Sequence, residues 1–235
     1  MSSVASPAVP PRRSRIAAPQ IYAELLGQIV STRLQPGTAL SESRIAETYG
    51  VSRTPVREAF KRLAEDGFLD VIPQVGTFVA RIELQAICDA HFVRETLECR
   101  IAALAAQSID ADGRRELARN IRELAAAQVA GDRAAHFVAD EAMHAMLARF
   151  AGHRDVWQLI RIAKAQLDRV RQLALTHPRR PRETVREHRA IADRVAAGDA
   201  AGAAEAMREH LATVIDVLED IAGRHPQYFV ERGSE

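Results

Sequence analysis

Four side chains able to bind a metal stand at intervals that put each on the apolar face of a helix. Asp140 and His144 are one turn apart in a stripe with Phe137 and Leu147, flanked by Met143. His188 falls among Val185, Ala192 and Val195, and His210 among Ala203, Met207, Val214, Val217 and Ile221. A buried carboxylate without a partner costs on the order of several kcal/mol, so such a group normally meets a cation. Any one of these imidazoles could simply be hydrogen-bonded within a core. Together they form a competent set for a divalent transition metal, with room left for water or ligand oxygens, and helix bundles build such sites from facing helices. The same set would serve a metal-dependent hydrolase or a site for which the ion itself is the signal.

A second set recurs on one helical face, where Arg53, Thr54, Arg57 and Lys61 lie opposite Val56, Phe60 and Leu63. Arginine there can pair with guanine O6 and N7 in the major groove, and the hydroxyls of Ser52 and Thr54 at a helix N-terminus suit phosphate. The charge pattern alone fits a solvated amphipathic helix equally well. Arg94 stands one turn before Glu98, beside Val93, Leu97 and Ile101, and Arg171 stands three residues after Asp168. Each could clamp a carboxylate effector or merely pair with its neighbour. His91 and His136 are read as surface or core groups, and His153, His177 and His225 as boundary groups beside Gly or Pro.

The elements that must position these groups are legible from periodicity. Residues 20–33 form a first helix through Ile21, Leu25, Leu26, Ile29 and Val30, stopped by Gln35-Pro36-Gly37. Ser41 caps a second helix whose inner face is Ile45, Ala46 and Tyr49 and whose left-handed terminator is Gly50. Ser52 caps a third, buried through Val56, Ala59, Phe60 and Leu63 and ended by Gly67. The two make a helix-turn-helix. The period then drops to two, with Phe68–Ile72 and Thr77–Ala80 flanking Pro73–Gly76, a β-hairpin wing. From residue 82 the pattern is helical throughout, with breaks near Ser108, Gly131, Gly152, Pro178 and Gly198 that leave six helices, three of them capped by Asp110, Asp132 and Asp199. The expectation is a mostly α protein: a tail over 1–19, a winged helix-turn-helix over 20–81, an antiparallel six-helix bundle over 82–224 and a tail over 225–235.

Composition narrows the classes. A chain of 235 residues with 47% hydrophobic and 27% charged content supports two cores, and its apolar runs are too short for the roughly 20 residues a membrane span needs. The opening residues lack a signal-peptide pattern. Cys88 and Cys99, eleven apart on one helix, cannot bridge and are expected as reduced thiols in a cytoplasm. Residues 1–81 hold 10 Lys/Arg against 7 Asp/Glu, whereas residues 82–235 hold 22 against 24, so the basic excess sits with the helix-turn-helix. No Gly-rich phosphate loop, Ser-His-Asp or Cys-His set, or unliganded acid suited to general-base work is visible, and Glu141 is placed on a different helix face from Asp140.

The stretch Leu40 to Phe60, followed by Leu63-Ala-Glu-Asp-Gly-Phe-Leu69, resembles the DNA-binding domain of the GntR family of bacterial regulators over residues 20–81. The resemblance implies that Arg53 and Arg57 touch bases, that Ser52 and Thr54 hold phosphate, and that Gly76 at the wing tip approaches the DNA backbone. Some members carry arginine where this chain has Ser43, leaving Arg44 to reach a phosphate. Asp140, His144, His188 and His210 resemble the metal set of the FCD effector domain of the FadR subfamily, and six helices resemble its VanR-type branch. That resemblance implies a homodimer binding a pseudo-palindromic operator, an ion such as zinc, nickel or manganese, and a small organic-acid effector held by Arg94, usually acting as a repressor.

Overall fold

The structure is a computed structural model describing residues 17–175 and 180–230; the first sixteen residues, residues 176–179 with His177 and the expected break at Pro178, and residues 231–235 lie outside the described part. The chain divides into two compact units, one of residues up to Gly27 with Thr38–Ala80, the other of Gln28–Gly37 with the chain from Arg81 onward. The stretch 28–37, expected with the first domain, thus groups with the second.

The first unit is built from α1 (Ala18–Val30, of which residues to Gly27 belong here), β1 (Ala39–Leu40), α2 (Glu42–Tyr49), α3 (Arg53–Glu65), β2 (Leu69–Ile72) and β3 (Gly76–Val79). Ile21 and Leu25 of α1 are fully buried, and Val56, Ala59, Phe60 and Leu63 of α3 form the expected inner stripe. Ser41 caps α2 by accepting from Arg44 N–H, and Gly50 closes it at φ 63°, donating to Ala46 and Glu47 carbonyls. That left-handed turn is inexpensive only for glycine and sets the angle at which α3 departs. Ser52 occupies the N-cap position of α3 with extended backbone, but its hydroxyl makes no capping hydrogen bond, a departure from expectation. Tyr22 Oη donates to Asp66 Oδ2 at 2.6 Å; burial, then this contact, pushes the phenol up to about 12.

β2 and β3 pair antiparallel in the register Leu69↔Val79 to Ile72↔Gly76, and β1 adds to the far side of β3, giving the order β1-β3-β2. The two-residue β1 was invisible to a periodicity reading because no alternation can be seen in so short a strand. Gly76 starts β3 at φ 151°, a conformation that strains any side chain, and it is exposed at the wing tip.

The second unit holds α4 (Leu84–Ser108), α5 (Ala111–Ala130), α6 (Arg133–Phe150), α7 (Val156–Ala163), α8 (Ala165–Ala174), α9 (Arg180–Ala196), α10 (Ala200–Asp216) and α11 (Leu218–Arg224). The six expected segments are all present; two are interrupted, at Lys164 and Val217, where ψ moves to −3°. Asp110, Asp132 and Asp199 each accept from the N–H three residues on, the capping expected of them. α10 packs on α4 and α9, while α5 packs on α6 and α9. Their shared core includes Ala102, Leu117, Met143, Leu147, Ile191 and Met207. Residues 225–230, expected as tail, are instead tied down: Ile82 N–H donates to Tyr228 O at 2.8 Å and Val230 N–H to Ile82 O at 3.1 Å. Phe229 is only 4% exposed, and its burial with Ile82 and Ile87 supplies the reason. Among the described residues no helix is long and apolar enough to cross a membrane, and Cys88 and Cys99 are unbridged.

Candidate functional site

In the first unit, Ser52, Arg53, Thr54, Arg57 and Lys61 are all exposed at or along α3, and Arg44 is exposed on α2. Arg53 Nη2 and Arg57 Nη2 donate to the same Glu42 oxygen at 2.9 and 3.2 Å, and Arg57 Nε reaches the other at 3.3 Å. These hydrogen bonds, Arg57's first, hold the Glu42 carboxyl below its usual range. Glu42 was missed from sequence, since its partners lie eleven and fifteen residues away. Lys61 pairs with Glu65 at 3.6 Å.

In the second unit α6 carries Asp140 and His144 inward, α9 carries His188 and α10 carries His210; all four are buried. One ligand atom from each lies within 4.8 Å of the others, and the imidazole centroids are 4.6 to 5.4 Å apart. The structure thus brings together the set the sequence singled out. His188 Nε2 is 3.2 Å from Asp140 Oδ1 and His144 Nδ1 is 2.5 Å from Glu98 Oε2. Both contacts lie off the hydrogen-bonding direction, and no ring nitrogen of His144 or His188 has a hydrogen-bond partner among the described residues. His210 Nδ1 is hydrogen-bonded to Glu187 Oε2 at 2.8 Å. Buried ring nitrogens lacking partners beside a buried carboxylate are what a metal would satisfy, and a carboxylate behind an imidazole is the usual support for a metal-binding histidine. The residues present therefore fit a divalent transition ion.

Electrostatics agree with that donor chemistry. Burial pushes His188 down and His210 down to about 3, which keeps their lone pairs free near neutral pH. Burial acts to raise Asp140, but Arg171 and then His188 hold it well below the ordinary range. Burial likewise opposes the ionisation of Glu98, but Arg94 and then His144 outweigh it and hold the carboxyl well below the ordinary range.

Beside the cluster lies a cavity of about 30 Å³ bordered by Arg94, Asp140, Arg171, Arg180 and His210 on its polar side and by Phe137, Leu211 and Val214 on its apolar side. Arg94 donates to both Glu98 oxygens at 2.6 and 3.4 Å, and both groups are fully buried. Sequence had left the choice between an effector clamp and an intrahelical pair with Glu98; the pair is present and buried, and Arg94 also borders the cavity. Arg171 contacts Asp140 directly and also reaches Glu141 at 2.7 Å and Asp168 at 2.8 Å. Glu141, expected on a separate face, is therefore joined to Asp140 through Arg171, whose side chain bridges the two faces. His136 borders the cavity with Nε2 3.2 Å from Pro181 O. Arg180, missed entirely, donates to both Glu187 oxygens at 2.9 and 3.0 Å and to Thr213. It opens α9, where an arginine is easily read as surface charge.

A winged helix-turn-helix followed by a helical bundle with an inward polar cluster defines a two-domain type of DNA-binding regulator. Residues 17–79 match the bacterial regulatory proteins of the gntR family and residues 89–213 match the FCD domain. The chain is 38% identical over 209 residues to an HTH-type transcriptional regulator in an unstable DNA locus of Streptomyces ambofaciens, covering 89% of this chain and 88% of that one. It is 32% identical over 212 residues to the HTH-type transcriptional repressor RspR of Escherichia coli, covering 90% and 93%. Its fold resembles that of Escherichia coli McbR/YncC with TM-score 0.75 at 22% identity, over 86% of this chain and 97% of that one. The chain belongs to the GntR family, with a C-terminal FCD domain. It is a DNA-binding transcription regulator, and its relatives are regulators rather than enzymes.

Proposed function

We propose that this regulator is a metabolite-responsive repressor, dimeric on a pseudo-palindromic operator, whose bundle holds a divalent transition metal on Asp140, His144, His188 and His210 and senses a small carboxylate. The observation that carries the sensing half is the convergence of those four buried groups from three helices within 4.8 Å, beside a cavity bordered by arginines. The ion, zinc by its preference for imidazole and carboxylate and nickel or manganese as alternatives, would supply Lewis-acid attraction for a carboxylate oxygen. Glu98 and Glu187 orient His144 and His210 from behind. Arg94 and Arg171 face the cavity from α4 and α8 and offer bidentate N–H donors to a carboxylate. In the DNA unit, Arg53 and Arg57 read bases, with Glu42 holding both guanidinium groups on one side of α3, while Ser52, Thr54, Arg44 and Lys61 contact phosphate and Gly76 lets the wing approach the backbone. Repression is supported by the names of two relatives, RspR and, at 29% identity, the probable D-xylose utilization operon repressor of Paenarthrobacter nicotinovorans.

The double variant His188→Ala/His210→Ala should purify without stoichiometric metal by elemental analysis and keep its operator affinity. Full metal occupancy in that variant would remove the ligand assignment. A second reading, the ion itself as signal, is favoured by the direct contact of Arg171 with Asp140, because an ion on Asp140 competes with α8 for the same carboxylate. Titrating operator binding with chelator and zinc, with no organic acid present, separates the two readings.

A further inference from the structure

One carboxylate lies between the two arginines read above as base-contacting groups, and its role rests on that reading. Glu42 opens α2, yet its partners are on α3. Its Oε2 accepts from Nη2 of Arg53 at 2.9 Å and from Nη2 of Arg57 at 3.2 Å, while Oε1 accepts from Nε of Arg57 at 3.3 Å. The Glu42 side chain is 24% exposed, against 60% for Arg53. Lys61, the next cation along α3, instead meets Glu65 of its own helix at 3.6 Å, and both of these are exposed.

An isolated ion pair at the surface holds a long side chain weakly. Glu42 does more, because it takes Arg57 side-on through Nε and Nη2, which fixes the plane of the guanidinium. The end of that group, Nη1 and the second Nη2 proton, is left pointing away from the carboxylate. That end is the fork that matches guanine O6 and N7. The oxygen shared with Arg53 keeps the two guanidinium groups at one separation, so both are aimed together. Charge adds a second effect. Phosphate attracts a guanidinium whatever the base sequence, and Glu42 cancels one of the two positive charges and repels phosphate from the same spot. Attraction to a duplex of the wrong sequence is thereby reduced, whereas guanine edges still meet N–H groups already oriented toward them. We infer that Glu42 is a specificity-determining residue, which orients Arg53 and Arg57 as one unit toward base edges and weakens their hold on other DNA.

The test uses the full chain and a randomised duplex library, from which selection on the unaltered protein yields a preferred duplex. Affinities are then measured for that duplex, its single-base variants and poly(dA-dT) over a range of salt, with the thermal midpoint of every variant as a check of folding. Glu42→Gln keeps the shape and removes the charge. It should bind poly(dA-dT) about threefold tighter or more at low salt, with a steeper salt dependence. It should also lose about tenfold of its discrimination at the base positions where Arg53→Ala and Arg57→Ala lose theirs, and at no others. In the Arg57→Ala background the same substitution should cost less discrimination, since the two groups act together. Glu42→Asp keeps the charge and should keep the weak binding of poly(dA-dT). Two results overturn this inference alone: Glu42→Gln weakening every duplex alike, or leaving discrimination unchanged while Arg57→Ala reduces it. Either would make Glu42 an ordinary first-turn acid of α2. No enriched duplex, or arginine variants without a position-specific effect, overturns the base-reading assignment and the inference with it.

Discussion

Arg57 and Lys61 sit one turn apart on α3 and are both more than two-thirds exposed or close to it, at 67% and 77%, but their chemistry separates them. Arg57→Ala should lose about 1–3 kcal/mol of discrimination at one base position, whereas Lys61→Ala should weaken all duplexes alike and flatten the salt dependence by about one unit of slope. Competition gel shifts across single-base operator variants measure both. In the bundle, acid titration follows from the depressed imidazole and carboxyl groups. His210 ionises near 3 when folded against an ordinary value of 6.5, so the unfolded chain binds the proton first and stability present above 6.5 is lost as pH falls toward 3. Glu187, opposed by burial but held at about 2 by His210 and Arg180, adds a loss of the same sign below 4.5. Chelator-treated protein should therefore melt at steadily lower temperature from pH 6.5 downward; a flat profile would contradict the buried, neutral state of His210.

At the scale of elements, α6 shows how packing and chemistry share one helix. Its inner stripe runs His136, Asp140, Met143, His144, Leu147, so the polar groups are seated by apolar neighbours one turn away. Leu147 is fully buried in the core shared with α5 and α10. Leu147→Ala should destabilise the second unit by about 2–5 kcal/mol, read by thermal unfolding of metal-free protein, and zinc should recover part of the loss because it binds only the assembled site. The interruption at Lys164 was hidden from sequence: no Gly, Pro or cap residue marks it. It coincides with a buried lysine directed at Asp168 one turn on and at Glu141 on α6, and the second, long-range pairing leaves no periodic trace.

For the molecule as a whole, the net charge of +1 is too small to drive DNA binding, so affinity must come from the cluster of cations on α2 and α3. In the proposed two-fold dimer, two copies of α3 would fix the distance between operator half-sites. Inserting five base pairs, about half a helical turn, between half-sites should reduce affinity to that of a single half-site in footprinting, and inserting a full turn should restore part of it. Unchanged protection after the half-turn insertion would contradict the dimeric reading.

The sequence by itself determined the helix-turn-helix, the wing, the six helical segments with their Asp caps, and which four residues would meet, because periodicity and capping are local properties and each of the four interrupts an otherwise apolar stripe. Tertiary structure alone decided what stands behind and between them. Glu42 beside Arg53 and Arg57, Glu98 behind His144, Glu187 between Arg180 and His210, and the carboxylates shared by Lys164 and Arg171 are mostly pairings between separate helices. A charged side chain looks the same in sequence whether it faces water or a buried partner. Only the packing of one helix against another settles which.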